Sequence, residues 1–498
     1  MNNNFQNNYI NLWKIPKNLH NILETHDSTI ITRFIPEQCG YLHLKHTKDC
    51  FLNFVLTKKF NGLMILRFND INPFKENFEN EKSILKDINK LGLYADKITH
   101  ISDYFSLLIK YVDYLIDNNL AYVDDSNQEV ISESRDKLLE TMNRINSIEK
   151  NKQIWKEMQN GEKREFCIRI KIDMKHKNPA CRDPIIYRFL KKGNQLNNSL
   201  ENKFKIFPTY DFCCPIIDFL EGITHVFNAD STSKNEQYNE ILNILNLKKP
   251  LLFNYGKINL KNIDNRNFKK FNDKKIIDNW EDPRLLTIKG LFNRGLHVDP
   301  LRQFVSKFGF YKNGTNMDID ILWNLNKKYI DKIATRYIVL PKDNILKFNI
   351  IKNKHLIKNK EIQKFKKNND LGTRLISFDN ELYLNKIETI NFFDGEEITL
   401  INWTNAFVFN NNLKLNLKGN FKMSDKKILW ISQNNNVNVK IITYENLYDN
   451  PKINYYLGEI AMINLKKGDY VQLIKMNYYM CLDINFELNE VFLIEIPK

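Results

Sequence analysis

Two rhythms of apolar and polar positions divide the chain. Between about Ile30 and Asp125, short β-branched and aromatic runs alternate with stretches whose apolar residues recur every three or four positions. Gly62-Leu-Met-Ile-Leu-Arg-Phe reads as a strand, and Glu81-Lys-Ser-Ile-Leu-Lys-Asp-Ile-Asn-Lys-Leu as a helix with one apolar face. Such alternation predicts an α/β layer. From about Ser126 to Lys205 the chain is charged and Asn-rich, helical at first and strand-like at Phe166-Cys-Ile-Arg-Ile-Lys-Ile. Strand and helix alternate again from Ile206, so this stretch is expected to be inserted between two halves of one sheet. Residues 280–344 keep a mostly helical period. From Ile345 onward the period falls to two, in runs separated by Asn, Gly and Asp such as Glu397-Ile-Thr-Leu-Ile-Asn-Trp and Asp469-Tyr-Val-Gln-Leu-Ile, which predicts all-β barrels. The Lys/Asn-rich run from Lys352 to Asn369 is expected to be a solvated hairpin or loop. No solenoid-type repeat is present. The expected organisation is an N-terminal extension (1–29), an α/β first half (30–125), an insert (126–205), an α/β second half (206–279), a helical connector (280–344) and β-barrels (345–498).

Composition changes this picture little. The 498 residues suit three or four domains, and 43% apolar residues suffice for globular cores. No apolar run reaches transmembrane length, and the start, Met-Asn-Asn-Asn-Phe-Gln-Asn-Asn, lacks the pattern of a secretory signal or transit peptide. Seven cysteines without a C-x-x-C argue against structural zinc and against a disulfide framework, so a cytoplasmic, reducing location is expected. The net charge of +15 permits a polyanionic partner such as nucleic acid, although a general excess of Lys and Asn accounts for much of it.

The most informative stretch is Arg33-Phe-Ile-Pro-Glu-Gln-Cys-Gly-Tyr-Leu-His-Leu-Lys-His. A strand that ends, a small residue that turns, and a helix whose free N–H groups and positive dipole end point outward make a site for polyphosphate. Gly40, His43 and His46 stand where such a site needs them. The stretch resembles the strand, turn and His-x-x-His helix start with which class I aminoacyl-tRNA synthetases hold ATP. Collinear segments extend the likeness: Arg67-Phe-Asn-Asp-Ile-Asn-Pro, Ser102-Asp-Tyr-Phe, Ala121-Tyr-Val-Asp-Asp, Asn178-Pro-Ala-Cys-Arg-Asp-Pro-Ile-Ile-Tyr-Arg, Trp280-Glu-Asp-Pro-Arg, Asn316-Met-Asp-Ile-Asp, Asn326-Lys-Lys-Tyr-Ile-Asp and Asp394-Gly-Glu-Glu-Ile-Thr-Leu-Ile-Asn-Trp. Pro208-Thr-Tyr-Asp-Phe-Cys-Cys-Pro-Ile-Ile-Asp followed by Glu221-Gly-Ile-Thr-His resembles the glutamyl rather than the glutaminyl branch. The β-rich C-terminus is similar to the eukaryotic and archaeal type, whose usual glutathione-transferase-like N-terminal domain is expected to be missing here.

This resemblance implies a Rossmann-type α/β catalytic domain with an inserted acceptor-binding domain, a helical connector and C-terminal all-β anticodon-binding barrels. It implies ATP as a substrate, with magnesium, and L-glutamate and tRNA(Glu) as partners, without a membrane. His43 and His46 would be catalytic, stabilising charge as pyrophosphate leaves. Gly40, His43, His46, Lys269 and Lys270 would line ATP. Glutamate would be held by Arg33, Glu37, Asn69, Tyr210 and Asn228, since two carboxylates and an ammonium call for a guanidinium and oxygen groups. Arg33 could instead form a structural salt bridge at the strand edge. Arg182 could hold the tRNA acceptor strand or pin the insert. The chain departs from the family at Lys45, where a Gly is usual, at Asn69 for Asp, and at Asn228 and Ser231 for an Arg and a Glu. No Ser-Lys-Arg loop stands between Asn259 and Trp280; Lys269, Lys270, Lys274 and Lys275 offer the cationic charge there, or belong to a solvated loop. Lys422-Met-Ser-Asp lies in the β-rich part and is a chance match. The implied activity is glutamate–tRNA ligation, the alternative being a tRNA-binding or assembly protein that has lost activation chemistry.

Overall fold

The computed structural model describes residues 10–25, 28–36, 41–72, 78–190, 203–229, 232–261, 279–310, 315–351, 359–422, 424–444 and 450–497. The chain forms two compact units, Met1–Lys261 with Val305–Met317, and Asn262–Phe304 with Asp318–Lys498.

In chain order the first unit contains α1 (Lys17–Glu24), β1 (Ile31–Phe34), α2 (Leu44–Lys59), β2 (Leu63–Phe68), α3 (Phe78–Lys90), β3 (Lys97–His100), α4 (Phe105–Asp117) and β4 (Ala121–Asp124). There follow α5 (Gln128–Asp136), α6 (Ile148–Gln159), β5 (Cys167–Ile170), β6 (Ile185–Arg188), β7 (Phe207–Pro208), α7 (Tyr210–Leu220), β8 (His225–Ala229), α8 (Thr232–Ile244), β9 (Leu251–Tyr255), β10 (Ile258–Leu260) and β11 (Thr315–Met317). Strands β1, β2 and β3 pair in parallel, as do β8 and β9. Thr224, just ahead of β8, donates its N–H to the Ile31 carbonyl, and Leu251 at the start of β9 donates to the Thr224 carbonyl. The spatial order is therefore β3-β2-β1-β8-β9, and the direction of winding reverses between β1 and β8. In open α/β sheets the crevice beyond the strand ends at such a reversal is where ligands bind.

Helix α2 departs from the simple amphipathic pattern. Leu44 and every residue from Cys50 to Thr57 are buried, because the helix is covered on two sides. One side faces β1, β2 and β8. On the other, Trp13 brings its ring within 6.3 Å of Phe51 and 5.8 Å of Phe310, and is itself 2% exposed. A helix buried on both sides is held by packing from both layers, and its buried polar residues Lys48, Asn53 and Thr57 bond to backbone carbonyls. The turn into β2 uses Gly62 because a Cβ there would collide with the Ile30 carbonyl oxygen.

Between the sheet halves lies an antiparallel sheet in the order β4-β5-β6-β7. The expected insert of 126–205 is thus wider at both ends, since β4 and β7 belong to its sheet. Their strand-like sequences are equally compatible with either sheet, so pairing rather than propensity decided the boundary. The expected strand at Phe166–Ile172 is present as β5.

The second unit begins with the helices α9 (Ile288–Asn293) and α10 (Ile319–Ile330). The helical connector expected to reach Asn344 stops earlier, because Thr335–Tyr337 (β12) and Val339–Pro341 (β13) are strands of a seven-stranded sheet otherwise built from residues 436–495. These two strands occupy opposite edges of that sheet while being separated by Ile338 alone, so the edges meet and the sheet is nearly closed. A second seven-stranded sheet, between Ile345 and Ser432, closes in the same way, its edges Lys427–Ile428 and Trp430–Ser432 separated by Leu429. Closure removes the free sheet edges. Ile338 and Leu429, the two joints, share a small core with Leu340 and Ile431 that binds one barrel to the other. The strand expected at Glu397–Trp403 ends at Leu400, and Asn402 turns with φ +64°. Of the Lys/Asn-rich run, Asn359–Gln363 pairs with Thr373–Ser377 as a hairpin, and 352–358 lie outside the described residues.

Candidate active site

Helix α2 starts beside the crevice. His43 is its N-cap and His46 its third residue, with ring centroids 5.7 Å apart and planes at 79°. His46 Nδ1 accepts the His43 N–H at 3.4 Å, which leaves the Nε2–H as the neutral ring's donor. Burial, reinforced by the ammonium of Lys45, lowers His43 to about 4. Burial, with His43 and Lys45, lowers His46 to about 3. Both rings are therefore neutral near pH 7, and the helix end offers N–H donors and a positive dipole without imidazolium charge. Lys45 itself is exposed.

One turn further, Lys48 and Asp49 anchor the helix. Lys48 Nζ donates to the Gly256 carbonyl at 2.6 Å, and burial lowers it to about 8. The Tyr255 hydroxyl donates to Asp49, whose carboxyl burial raises to about 6 despite the cations around it. Together they tie α2 to the end of β9.

Beneath the crevice lies a lattice of buried charge. Tyr210, Cys214 and Asp218 are spaced by four along α7 and share one face, turned to Arg33 on β1. Arg33 Nε meets the two Asp218 oxygens at 3.2 and 3.3 Å, and its Nη2 lies 3.7 Å from Cys214 Sγ. Arg67 on β2 donates Nη1 to Asp218 at 2.8 Å and Nη2 to Glu221 at 2.5 Å. Tyr238 donates to Asp218 and Tyr104 to Glu221. Two guanidiniums and two carboxylates balance, as buried ions must. Burial alone would raise Asp218, but Arg33 and Arg67 outweigh it and hold the carboxyl below its usual range.

Arg33 is thus committed first to Asp218, the structural alternative of the two. Among the described residues its Nη1 makes no hydrogen bond. Tyr210, 40% exposed, opens α7 one turn before Cys214. Asn69 follows β2 and donates its N–H to the Pro36 carbonyl. Asn228, near the end of β8, donates its amide to Asn235. Arg182 lies in the insert, where its guanidinium donates to the carbonyls of His176, Lys177 and Arg135. That is the pinning role. Glu37, Gly40, Ser231, Lys269, Lys270, Lys274 and Lys275 lie outside the described residues.

Among the described residues one group has metal-ligand chemistry: His176, Cys181 and Glu236, whose donor atoms lie within 4.8 Å of one another. His176 Nδ1 accepts the Asn178 N–H, so the neutral ring carries its proton on Nε2, the nitrogen facing Glu236. Burial also raises the Cys181 thiol to about 11. The trio therefore reads as a polar contact between the insert and α8.

Sequence reasoning did not single out Asp218, Glu221, Tyr238, Lys48 or Asp49 as site residues. Tyr210, Cys214 and Asp218 carried a usable signal in their four-residue spacing. The partnership of Arg33 with Asp218, 185 positions apart, carried none.

The family model for tRNA synthetases class I (E and Q), catalytic domain, matches residues 29–332, and the one for the anti-codon binding domain of the same group matches 334–424. The chain is 35% identical over 491 residues to a probable cytoplasmic glutamate–tRNA ligase of Vairimorpha ceranae, covering 94% of this chain and 78% of that protein. It is 36% identical over 446 residues to the probable cytoplasmic enzyme of Dictyostelium discoideum, covering 86% and 58%. Against the bifunctional glutamate/proline–tRNA ligase of Mus musculus it is 33% identical over 488 residues, covering 91% of this chain but 32% of that protein. The chain thus spans about a third to three fifths of these last two relatives. The catalytic-domain match takes in the sheet, the insert and the helices α9 and α10, and the anticodon-binding match starts at the strands that follow them: the chain belongs to the class I tRNA synthetases of the E and Q group.

Proposed function

We propose that the chain is an ATP-dependent glutamate–tRNA ligase acting in the cytoplasm in protein synthesis. The observation that carries this reading is the start of α2, where two histidines that burial keeps neutral open the helix that follows β1, the strand bearing Arg33. The α-carboxylate of glutamate attacks the α-phosphorus of ATP, the bond to the β-phosphate oxygen breaks, and glutamyl-adenylate and pyrophosphate result. The ribose hydroxyl at the end of tRNA(Glu) then attacks the carbonyl carbon and AMP leaves. His43 and His46 contribute by donating N–H to oxygens that gain charge, without first losing a proton to solvent. Gly40 admits the triphosphate, and Lys269 and Lys270 supply cations to its outer end.

Arg33 Nη1, Glu37, Asn69, Tyr210 and Asn228 form the amino-acid subsite. The ammonium of Lys45 beside the two histidines suits the triphosphate, and magnesium would arrive bound to phosphate and water. The insert receives the acceptor end, with Arg182 shaping it from within, and the barrels receive unstacked anticodon bases. The relatives named as cytoplasmic glutamate–tRNA ligases support substrate and location alike. The alternative, a tRNA-binding protein without activation chemistry, gains no support from them. Glutamate-dependent exchange of labelled pyrophosphate into ATP, with tRNA present, tests the reading. Exchange that requires glutamate is expected, and tight tRNA binding with no exchange overturns it.

A further inference from the structure

Asn228 stands where the family resemblance expects an arginine. An amide is a weaker and less certain reader than a guanidinium. It carries no charge, and its oxygen and nitrogen can exchange places unless their surroundings fix them. Here the amide is engaged by a neighbouring amide, which is itself engaged by a third. Asn228 on β8 and Asn254 on β9 are register partners on adjacent parallel strands, one residue from the ends of both. Asn235, in the first turn of α8, lies against both. Asn228 Nδ2 donates to Asn235 Oδ1 at 3.2 Å, and Asn235 Nδ2 donates to Asn254 Oδ1 at 2.9 Å.

Asn254 Oδ1 accepts from Asn235 and Asn235 Oδ1 accepts from Asn228, so a change at Asn254 reaches Asn228 through one intervening amide. One hydrogen of Asn228 is used in this chain. Among the described residues its carbonyl oxygen and second N–H make no further hydrogen bond. Asn228 and Asn254 stand one residue from the ends of their strands, beside the reversal between β1 and β8 where a crevice ligand would lie. We propose that Asn235 and Asn254 are positioning residues that hold the Asn228 amide toward the side-chain carboxylate of the amino-acid substrate. This rests on the glutamate reading and extends it to two residues outside the motif. The gain is pre-organisation: an amide already turned toward the carboxylate loses little rotamer freedom on binding.

The test uses the full chain. The KM for L-glutamate and for ATP is measured in pyrophosphate exchange with tRNA present, and L-glutamate binding is measured by calorimetry. Asn254→Ala and Asn235→Ala are expected to raise the glutamate KM and Kd about five- to ten-fold, with the ATP KM and kcat nearly unchanged. Asn254→Asp keeps the acceptor that Asn235 needs and should return the glutamate KM to within about two-fold of the wild-type value. Since the Ala and Asp variants alter one position, misfolding does not separate them and orientation does. Unchanged glutamate KM in both alanine variants overturns the proposal, as does an equal loss toward ATP, or an Asp variant as impaired as the Ala variant. A wild-type chain that activates glutamate while its variants match it sinks the relay alone. A wild-type chain that neither activates nor binds glutamate sinks the ligase reading, and the relay with it.

Discussion

The crevice of the first unit and the barrels of the second are stabilised in opposite ways. Below the crevice, the side chains of Arg67, Asp218 and Glu221 are wholly shielded from water and Arg33 nearly so. In the barrels the interiors are aliphatic and aromatic, with Phe378, Trp403 and Trp430 stacked together in one and Val439, Ile441 and Leu493 in the other. Arg374 with Glu459 is their deeply buried ion pair. Apolar packing tolerates a change of one residue gradually. A balanced set of buried ions does not, because removing one partner strands another in a medium that solvates it poorly. The first unit therefore trades robustness for fixed charge where a charged substrate must be held.

The sharpest way to break this comparison is Asp218→Ala, which strands both Arg33 and Arg67. We expect a loss of about 3–5 kcal/mol in denaturant unfolding of the first unit; a loss below about 1 kcal/mol would mean that water reaches the lattice. In the barrels, Trp430→Ala removes a ring that is 3% exposed and should cost about 3–4 kcal/mol by cavity formation. Glutamate activation should survive it at temperatures where the variant stays folded. His46→Ala should lower the rate of glutamate activation by about two orders of magnitude while leaving the melting temperature nearly unchanged. Equal activity in that variant would remove His46 from the chemistry.

The effect that needs no substitution concerns protonation. His43 and His46, lowered from 6.5 to about 4 and 3, stay neutral while the unfolded chain takes up protons. Their contribution to stability is complete above pH 6.5 and is lost as the pH falls from there toward 3. Ring-proton shifts followed by NMR should show midpoints near those two values, and Lys45→Ala should move both upward. Midpoints near 6.5 in the wild-type chain would show that the rings are solvated.

Much of this was legible in the sequence, for reasons that differ by region. A period of two with Asn and Gly punctuation is enough to see strands after Ile345. It cannot show that β12 and β13, three residues each, leave the helical stretch and close a barrel whose other strands lie a hundred residues on. The histidine pair was legible because a helix N-terminus is a local object. The role of Asp218 was hidden because its partners come from β1 and β2. The segments Arg67-Phe-Asn-Asp and Ser102-Asp-Tyr-Phe are joined by Asp70, which accepts the Ser102 N–H, and by Arg67 and Tyr104, which converge on Glu221. Sequence shows such segments as separate motifs, whereas in space they are one support.

The joints at Ile338 and Leu429 also set an order of assembly. As the chain leaves the ribosome, β12 and β13 emerge before any strand they pair with, and the barrel between Ile345 and Ser432 can close on its own while they wait. Only when Lys452–Glu459 and Tyr470–Leu473 are made do the two early strands find partners. The nested barrel is thus a spacer in time as well as in space, and chaperone contact during synthesis should fall on residues 335–341, the strands held open longest.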